Sequence, residues 1–384
     1  MKIGILTMHS QLNYGAILQC WALQIALTEM GHEVIILDRW EKNAWSALSG
    51  AYRNISVKDW CRLAIRLLLK RGALSLELRH LRTRCFIKRK LSLSKYHFHT
   101  WSDAPKELGV ECIIVGSDQV FACHDDVKVY FFEGRGAVKA ISYAASFGQK
   151  SIPVEWIDVY RGGLLRFAAV SCREREGLDI CNAFGVAAQY VCDPTLLLSQ
   201  QQWNHLCGCM TDVEKCCGKP RLLFYCIVED DAFVDDVITL DAFAEENGCI
   251  VEVFTNEYIR WRWQAYCPKL RNVLLRLSAG PGEFISALRL STWVLTNAFH
   301  GLMLSVIFRK NVRVLSPRSE IRAGMFGRIS EFAEYIDGRF IVENVEDALN
   351  SFGRGEAISI NSEKLSVWIE QSREFLRENI RALC

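Results

Sequence analysis

The sequence predicts an α/β protein built as two stacked domains, and three observations carry that reading. The chain has 384 residues, about twice the size of a typical single domain. Residues 2–38 alternate an apolar strand, a helix and a second apolar strand, the βαβ signature of a parallel sheet. After Asp193-Pro194-Thr195 the same alternation starts again. Half the residues are apolar, 23% are charged and 7 are proline, which supplies two cores and excludes a mostly disordered chain. Lys+Arg 46 against Asp+Glu 44 leaves a net charge of +2, so no whole-molecule field points to nucleic acid.

The elements follow in order. Residues 2–7 form a strand and 8–14 a polar loop. A helix over 15–30 is apolar through Ile17, Leu18, Trp21, Leu23, Ile25 and Leu27, with Gly31 at its C-cap. Residues 33–38 (EVIILD) give the second strand, and further strands are expected at 112–115, 140–144, 167–171 and 190–191. Beyond the boundary come strands at 222–228, 250–255, 272–275, 293–296 and 312–315, with helices over 232–247, 281–290 and 302–309. A last helix over 362–383 is amphipathic through Leu365, Trp368, Ile369, Phe375, Leu376 and Ile380. Neither internal repeats nor low-complexity tracts are present.

The 16 cysteines and one charged stretch stand out from this pattern. The opening Met1–Thr7 leads into polar residues with no secretory h-region, and no apolar run is long enough to span a bilayer. The expectation is a cytoplasmic, reducing compartment in which thiols stay free and mostly fill cores. Cys207, Cys209, Cys216 and Cys217 cluster, but C-x-C plus C-C is a poor match to zinc knuckles, so no metal is expected. Residues 62–95 hold eleven Lys/Arg and one acid, a local +10 that leaves −8 for the rest of the chain. Trp60, Leu63, Ala64, Leu67 and Leu68 share one helical face there, with Lys58, Arg62, Arg66 and Lys70 opposite. This is either a solvated helix face or a peripheral contact with anionic lipid at the inner face of the plasma membrane.

Nucleotide and hydrolase signatures are missing. The chain has no G-x-x-x-x-G-K-[ST], no G-x-G-x-x-G after a strand, no D-x-D, no G-x-S-x-G and no H-E-x-x-H. What remains is polar residues at strand ends, where an α/β sheet places its ligands. His300 follows a strand and precedes a helix beside Gly301, a position suited to anions or proton transfer, or else to a buried turn. Arg173 ends an apolar strand, where a lone cation is costly unless it meets a ligand anion or an internal partner such as Glu174, Glu176 or Asp193.

Six segments in order resemble the polysaccharide pyruvyl transferase family. They are Asn13–Gln19 (NYGAILQ) with Ala22-Leu23-Gln24, Val115–Val120 (VGSDQV), Tyr143–Gly148 (YAASFG), Ser171–Glu174 (SCRE), Asp193–Leu198 (DPTLLL) and Phe299-His300-Gly301. The resemblance covers residues 1–315. It departs from the common pattern at Arg39, Phe121, Cys172 and Asn297-Ala298, changes expected to border the acceptor site. The resemblance implies a GT-B-like fold, two Rossmann-like domains (1–198 and 199–361) facing across a cleft, with a C-terminal helix (362–384) crossing back to the first. It implies transfer of the enolpyruvyl group of phosphoenolpyruvate onto two hydroxyls of one sugar, in a cell-surface polysaccharide or lipid-linked glycan, with phosphate released. No cofactor is expected and no nucleic acid partner. His300 is expected to be the proton donor and Arg173 the anion clamp. Asn13, Tyr14, Gly15, Ser117, Asp118, Ser146, Glu174, Asn297 and Gly301 are expected substrate contacts. Two alternatives share the residues: a GT-B glycosyltransferase using a nucleotide sugar, and a non-catalytic glycan-binding protein.

Overall fold

A computed structural model describes residues 1–10, 13–39, 73–102, 104, 106–136, 138–206, 218–227, 232–255, 269–319, 326–336 and 338–383. The expected helix face Lys58–Lys70 and the Cys207–Cys217 cluster lie outside these residues.

The first half is built on strands β1 (Lys2–Leu6), β2 (Glu33–Arg39), β3 (Leu93–Phe98), β4 (Cys112–Val115) and β5 (Ala140–Ser142), all parallel, in the order β3-β2-β1-β4-β5. Single bridges, Ile141 to Ala169 and Ala145 to Cys172, continue the sheet onto β6 (Val170–Cys172) and β7 (Ala188–Tyr190). The second half repeats the plan. Strands β8 (Arg221–Cys226), β9 (Ile250–Thr255), β10 (Val273–Leu275), β11 (Trp293–Thr296), β12 (Asn311–Leu315) and β13 (Ile341–Val342) run in the order β10-β9-β8-β11-β12-β13. The order reverses beside the first strand of each half, the crevice where parallel sheets receive ligands. The central strands β4 (CIIV) and β8 (RLLFYC) are buried throughout, as strands covered on both faces must be.

The halves share a continuous apolar core. The helix Tyr14–Glu29 buries residues all around its circumference because it is covered on one side by its own sheet and on another by the second half. Tyr14 is stacked on Phe284 at 4.9 Å, with Tyr225 and Phe254 beside it, and its hydroxyl donates to the Ala279 carbonyl at 2.7 Å.

The helix Ala73–Lys90 carries the described part of the basic stretch, and some of its charge is used inside the protein. Arg79, 2% exposed, lies over the Tyr14 ring at 4.7 Å and donates to the Thr255 carbonyl. Arg82 donates to Ser278 O at 3.1 Å and pairs with Glu283 at 3.4 Å. Both bind the second half. Lys88, Arg89 and Lys90 fill the last turn, where they complement the helix dipole. Among the described residues no helix is long and apolar enough to cross a membrane.

The last helix, Ser362–Ala382, lies on the first half. Its Ser372 hydroxyl accepts from Cys192 N at 2.8 Å and Arg373 donates to Leu197 O at 2.6 Å. At its start, Trp368 sits between Tyr190 and Tyr335, each 4.8 Å away, while Arg175 covers Tyr190 and Lys364 covers Tyr335. Glu334 accepts from both cations, at 3.1 Å each, and closes this clamp between the halves.

Candidate active site

Strand β11 delivers His300. Thr296 Oγ1 donates to Tyr225 O at 2.7 Å and accepts from Ala298 N at 3.0 Å, which fixes the turn out of the strand. The helix Phe299–Ile307 begins three residues before the expected 302, so His300 occupies its first turn. His300 is 8% exposed, and its ring bridges the halves from Asp193 to Gly15. Its Nε2 is buried and lies 3.5 Å from Asp193 Oδ2, an ion-pair separation without hydrogen-bond geometry. Its Nδ1 borders Gly15: a methyl group there would sit 2.1 Å from that nitrogen. The ring therefore packs directly against the Gly15 backbone, an approach that only glycine permits.

The first half supplies a buried charge cluster. Arg173, one residue past β6, is 2% exposed. Its Nη1 donates to Asp193 Oδ2 and its Nη2 to Asp118 Oδ1, both at 3.0 Å, and Glu174 Oε2 lies 3.9 Å from Nε. Asp193 caps the short turn Pro194–Leu197, and its Oδ1 accepts from Thr195 N at 3.0 Å and Thr195 Oγ1 at 2.8 Å. Ser117 Oγ donates to Ala144 O at 2.7 Å and to Asp193 Oδ2 at 3.2 Å.

These contacts set the ionisation of the acids. Burial opposes charge on Asp193, but His300, Arg173 and the Thr195 amide overcome it and hold the carboxyl well below the usual range. Asp118 is likewise lowered against its burial, chiefly by Arg173 and then His300 and Arg328. Glu174 goes the other way: burial pushes it up despite Arg173, Arg328 and a 2.7 Å bond from Phe147 N. Burial also disfavours charge on Arg173, and Asp118, Asp193 and Glu174 together more than restore it.

The structure brings together Gly15, Ser117, Asp118, Ser146, Arg173, Glu174 and His300. It gives other expected contacts different work. Asn13 caps the Tyr14–Glu29 helix, its side chain accepting from Gly15 N at 2.9 Å and Ala16 N at 3.4 Å. Tyr14, 2% exposed, belongs to the core between the halves. Asn297 is turned to the Ile227 backbone, accepting from its N and donating to its O at 2.8 Å. Gly301 lies against Thr296, where a Cβ would come within 2.4 Å of Oγ1. Arg39 and Phe121, expected near the acceptor, are interior: Arg39 binds Tyr130 at 2.9 Å and pairs with Asp126, and Phe121 packs among Phe131, Phe147 and Phe167. Arg173 donates one hydrogen bond each to Asp193 and Asp118 of its own half, and its Nε is buried without a hydrogen-bond partner.

Two site residues were not singled out from sequence. Asp193 reads as a domain boundary or an ion-pair partner, although an Asp followed by Pro and Thr is also a capping signal. Arg328 follows residues with no clear periodicity, and nothing in the local pattern marks it. It comes from the second half, its Nη1 3.4 Å from Ser146 Oγ and its guanidinium 5.4 Å from the Phe299 ring, which Arg173 also covers at 4.9 Å.

Two Rossmann-like halves with a polar cluster between them define a GT-B-like α/β protein, and solved structures agree. A UDP-N-acetylglucosamine 2-epimerase from Rickettsia bellii is similar at TM-score 0.53 and 9% identity, covering 100% of this chain and 96% of its own. An S. aureus MnaA–UDP structure gives 0.51 and 10%, covering 97% and 90%. The 2-epimerase from Methanocaldococcus jannaschii gives 0.50 and 10%, covering 92% of each chain. No curated protein matches by sequence. The polysaccharide pyruvyl transferase family model matches residues 13–319, most of the chain. The chain belongs to that family and is a transferase by membership.

Proposed function

We propose that this protein moves the enolpyruvyl group of phosphoenolpyruvate onto two hydroxyls of one sugar, forming a cyclic ketal on a cell-surface glycan precursor and releasing phosphate. Beyond family membership, one observation carries the reading. A histidine between the halves packs its ring on the Gly15 backbone and has Nε2 3.5 Å from the buried carboxylate of Asp193.

The chemistry needs a positioned proton. One sugar hydroxyl adds at the enol carbon while the methylene carbon becomes a methyl group, so a proton is gained at carbon and one is lost from oxygen. His300 Nδ1 donates that proton, with Asp193 steadying the ring at Nε2; general acid catalysis of this kind contributes about 10²–10⁴-fold. The carbon–oxygen bond to phosphate then breaks with its electron pair, leaving an oxocarbenium-like carbon. The proton of the first hydroxyl leaves with the phosphate as hydrogen phosphate, the second hydroxyl attacks that carbon, and the imidazole takes up the second hydroxyl's proton. No redox step is involved.

Thermal stabilisation by phosphoenolpyruvate, compared with UDP-sugars, tests the donor. Stabilisation by phosphoenolpyruvate alone supports the reading. Stabilisation by a UDP-sugar alone replaces it with glycosyl transfer. The acceptor is proposed to be lipid-linked and assembled at the inner face of the membrane, and a screen of glycans for gain of one pyruvyl group identifies it.

A further inference from the structure

We propose that the outward side of the helix Ala73–Lys90, together with the edge strand β3, docks this protein on an anionic lipid bilayer. The use of such docking rests on the lipid-linked acceptor proposed above; the surface itself stands on residues outside the donor site.

The exposed side chains of the helix fall on one side. At about 100° per residue, Leu78, Leu81, Arg82, Cys85, Lys88 and Arg89 lie within a sector of about 120°. Arg79, His80 and Thr83, on the opposite side, are buried. Two leucines are therefore left in water, Leu78 at 38% and Leu81 at 49% exposure. Beyond the helix end, β3 exposes Tyr96 at 57%, with Lys95 Nζ 5.4 Å from its ring centre. Among the described residues, three of the seven exposed large apolar side chains lie in this stretch.

The charge here has one sign. From Leu78 to His99 there is no Asp or Glu. Arg79 and Arg82 are engaged with the second half. Lys88, Arg89, Lys90 and Lys95 are exposed and have no carboxylate partner among the described residues. Cations in a last turn complement the helix dipole, and a lysine on an edge strand discourages pairing with another sheet. Neither duty calls for leucines in water beside them. An anionic bilayer accounts for both features. Its surface attracts the unpaired cations, the leucines enter the headgroup boundary, and a tyrosine with an adjacent lysine suits the interface, ring inward and ammonium among the phosphates. A nucleic acid would engage the cations through its phosphates and leave the leucines wet.

The test is co-sedimentation of the full chain with phosphatidylcholine vesicles and with vesicles that also contain phosphatidylglycerol. The wild type is expected to bind only the anionic vesicles, and less as salt rises. The variant Lys88→Gln/Arg89→Gln/Lys90→Gln/Lys95→Gln is expected to lose about fivefold for each cation removed, on the order of 10²–10³-fold in all. Leu81→Ser is expected to weaken binding with its salt dependence unchanged. Removing four exposed cations elsewhere, in Lys150→Gln/Arg161→Gln/Arg354→Gln/Arg377→Gln, is expected to leave binding within about twofold, because distant charges are screened. Should the first variant not fold, Lys88→Gln/Arg89→Gln carries the comparison. Absence of wild-type binding to anionic vesicles, or equal loss in the two four-residue variants, overturns the proposal. So does binding to RNA without binding to vesicles, or self-association without binding to vesicles. Phosphoenolpyruvate affinity is expected to be unchanged in all these variants, so a failure at the vesicles leaves the donor reading intact. Failure of the wild type to bind phosphoenolpyruvate removes the donor reading and leaves the vesicle result standing.

Discussion

Gly15→Ala probes the site with one methyl group. The added Cβ would lie 2.1 Å from His300 Nδ1, 2.5 Å from Cγ and 2.9 Å from Cε1. Non-bonded heavy atoms settle near 3.5 Å, so the ring must retreat by roughly 1.4 Å. Gly15 is helical, so alanine is acceptable to the backbone and brings up to about 1 kcal/mol of helix propensity in its favour. A displacement of about 1 Å at a reacting group costs on the order of 10²-fold. The expected variant is folded, with a melting temperature close to the wild type, and releases phosphate from phosphoenolpyruvate in the presence of acceptor at least about 10²-fold more slowly. A folded Gly15→Ala protein with wild-type kcat/KM would refute the assignment of Nδ1 as the working nitrogen.

Other changes read separate parts of the structure. His300→Ala removes the proton donor and should cost about 10²–10⁴-fold in transfer, with circular dichroism unchanged. Asp193→Ala leaves Arg173 and the buried Thr195 amide and hydroxyl short of a partner and should destabilise by about 3–5 kcal/mol in urea unfolding. Tyr14→Phe keeps the stack on Phe284 and loses only the bond to Ala279 O, so about 1 kcal/mol and little activity are lost. Glu331 is pushed up from 4.5 to about 8 by burial and by the neighbouring Glu176 carboxyl. Its contribution to stability is therefore complete below 4.5 and is lost as pH rises through 8. Glu331→Gln should flatten the stability decline between those two values, measured by urea unfolding across that range.

The parts of this molecule that could be read from sequence are those governed by local rules. Alternating apolar strands and helices located both sheets, and the strand ends pointed to His300 and Arg173 because ligands collect there in parallel sheets. The edge strand Leu93–Phe98 escaped because its half-exposed pattern carries little apolar signal. Residues whose work depends on the other half were misread. Tyr14 follows a polar Asn in a loop-like motif, yet its partners, Phe284 and Ala279, come from far along the chain. Arg79 and Arg82 belong to the basic stretch, and nothing local shows that Thr255 and Glu283 lie opposite. Asn13 was visible as a polar residue before a helix, and capping alone accounts for it. Asp193 and Arg328 gain meaning only when β6, β7 and the 326–335 segment converge on one guanidinium and one imidazole.

The account turns on pyruvyl transfer through His300, and one product measurement reads it directly. Purified protein, phosphoenolpyruvate and a glycan acceptor are incubated and the glycan mass is recorded, with His300→Ala in parallel. The account predicts gain of one ketal-linked pyruvyl group with stoichiometric phosphate release in the wild type and neither in the variant. Equal product from a folded His300→Ala protein, or phosphoenolpyruvate left intact by the wild type with every acceptor screened, would contradict it.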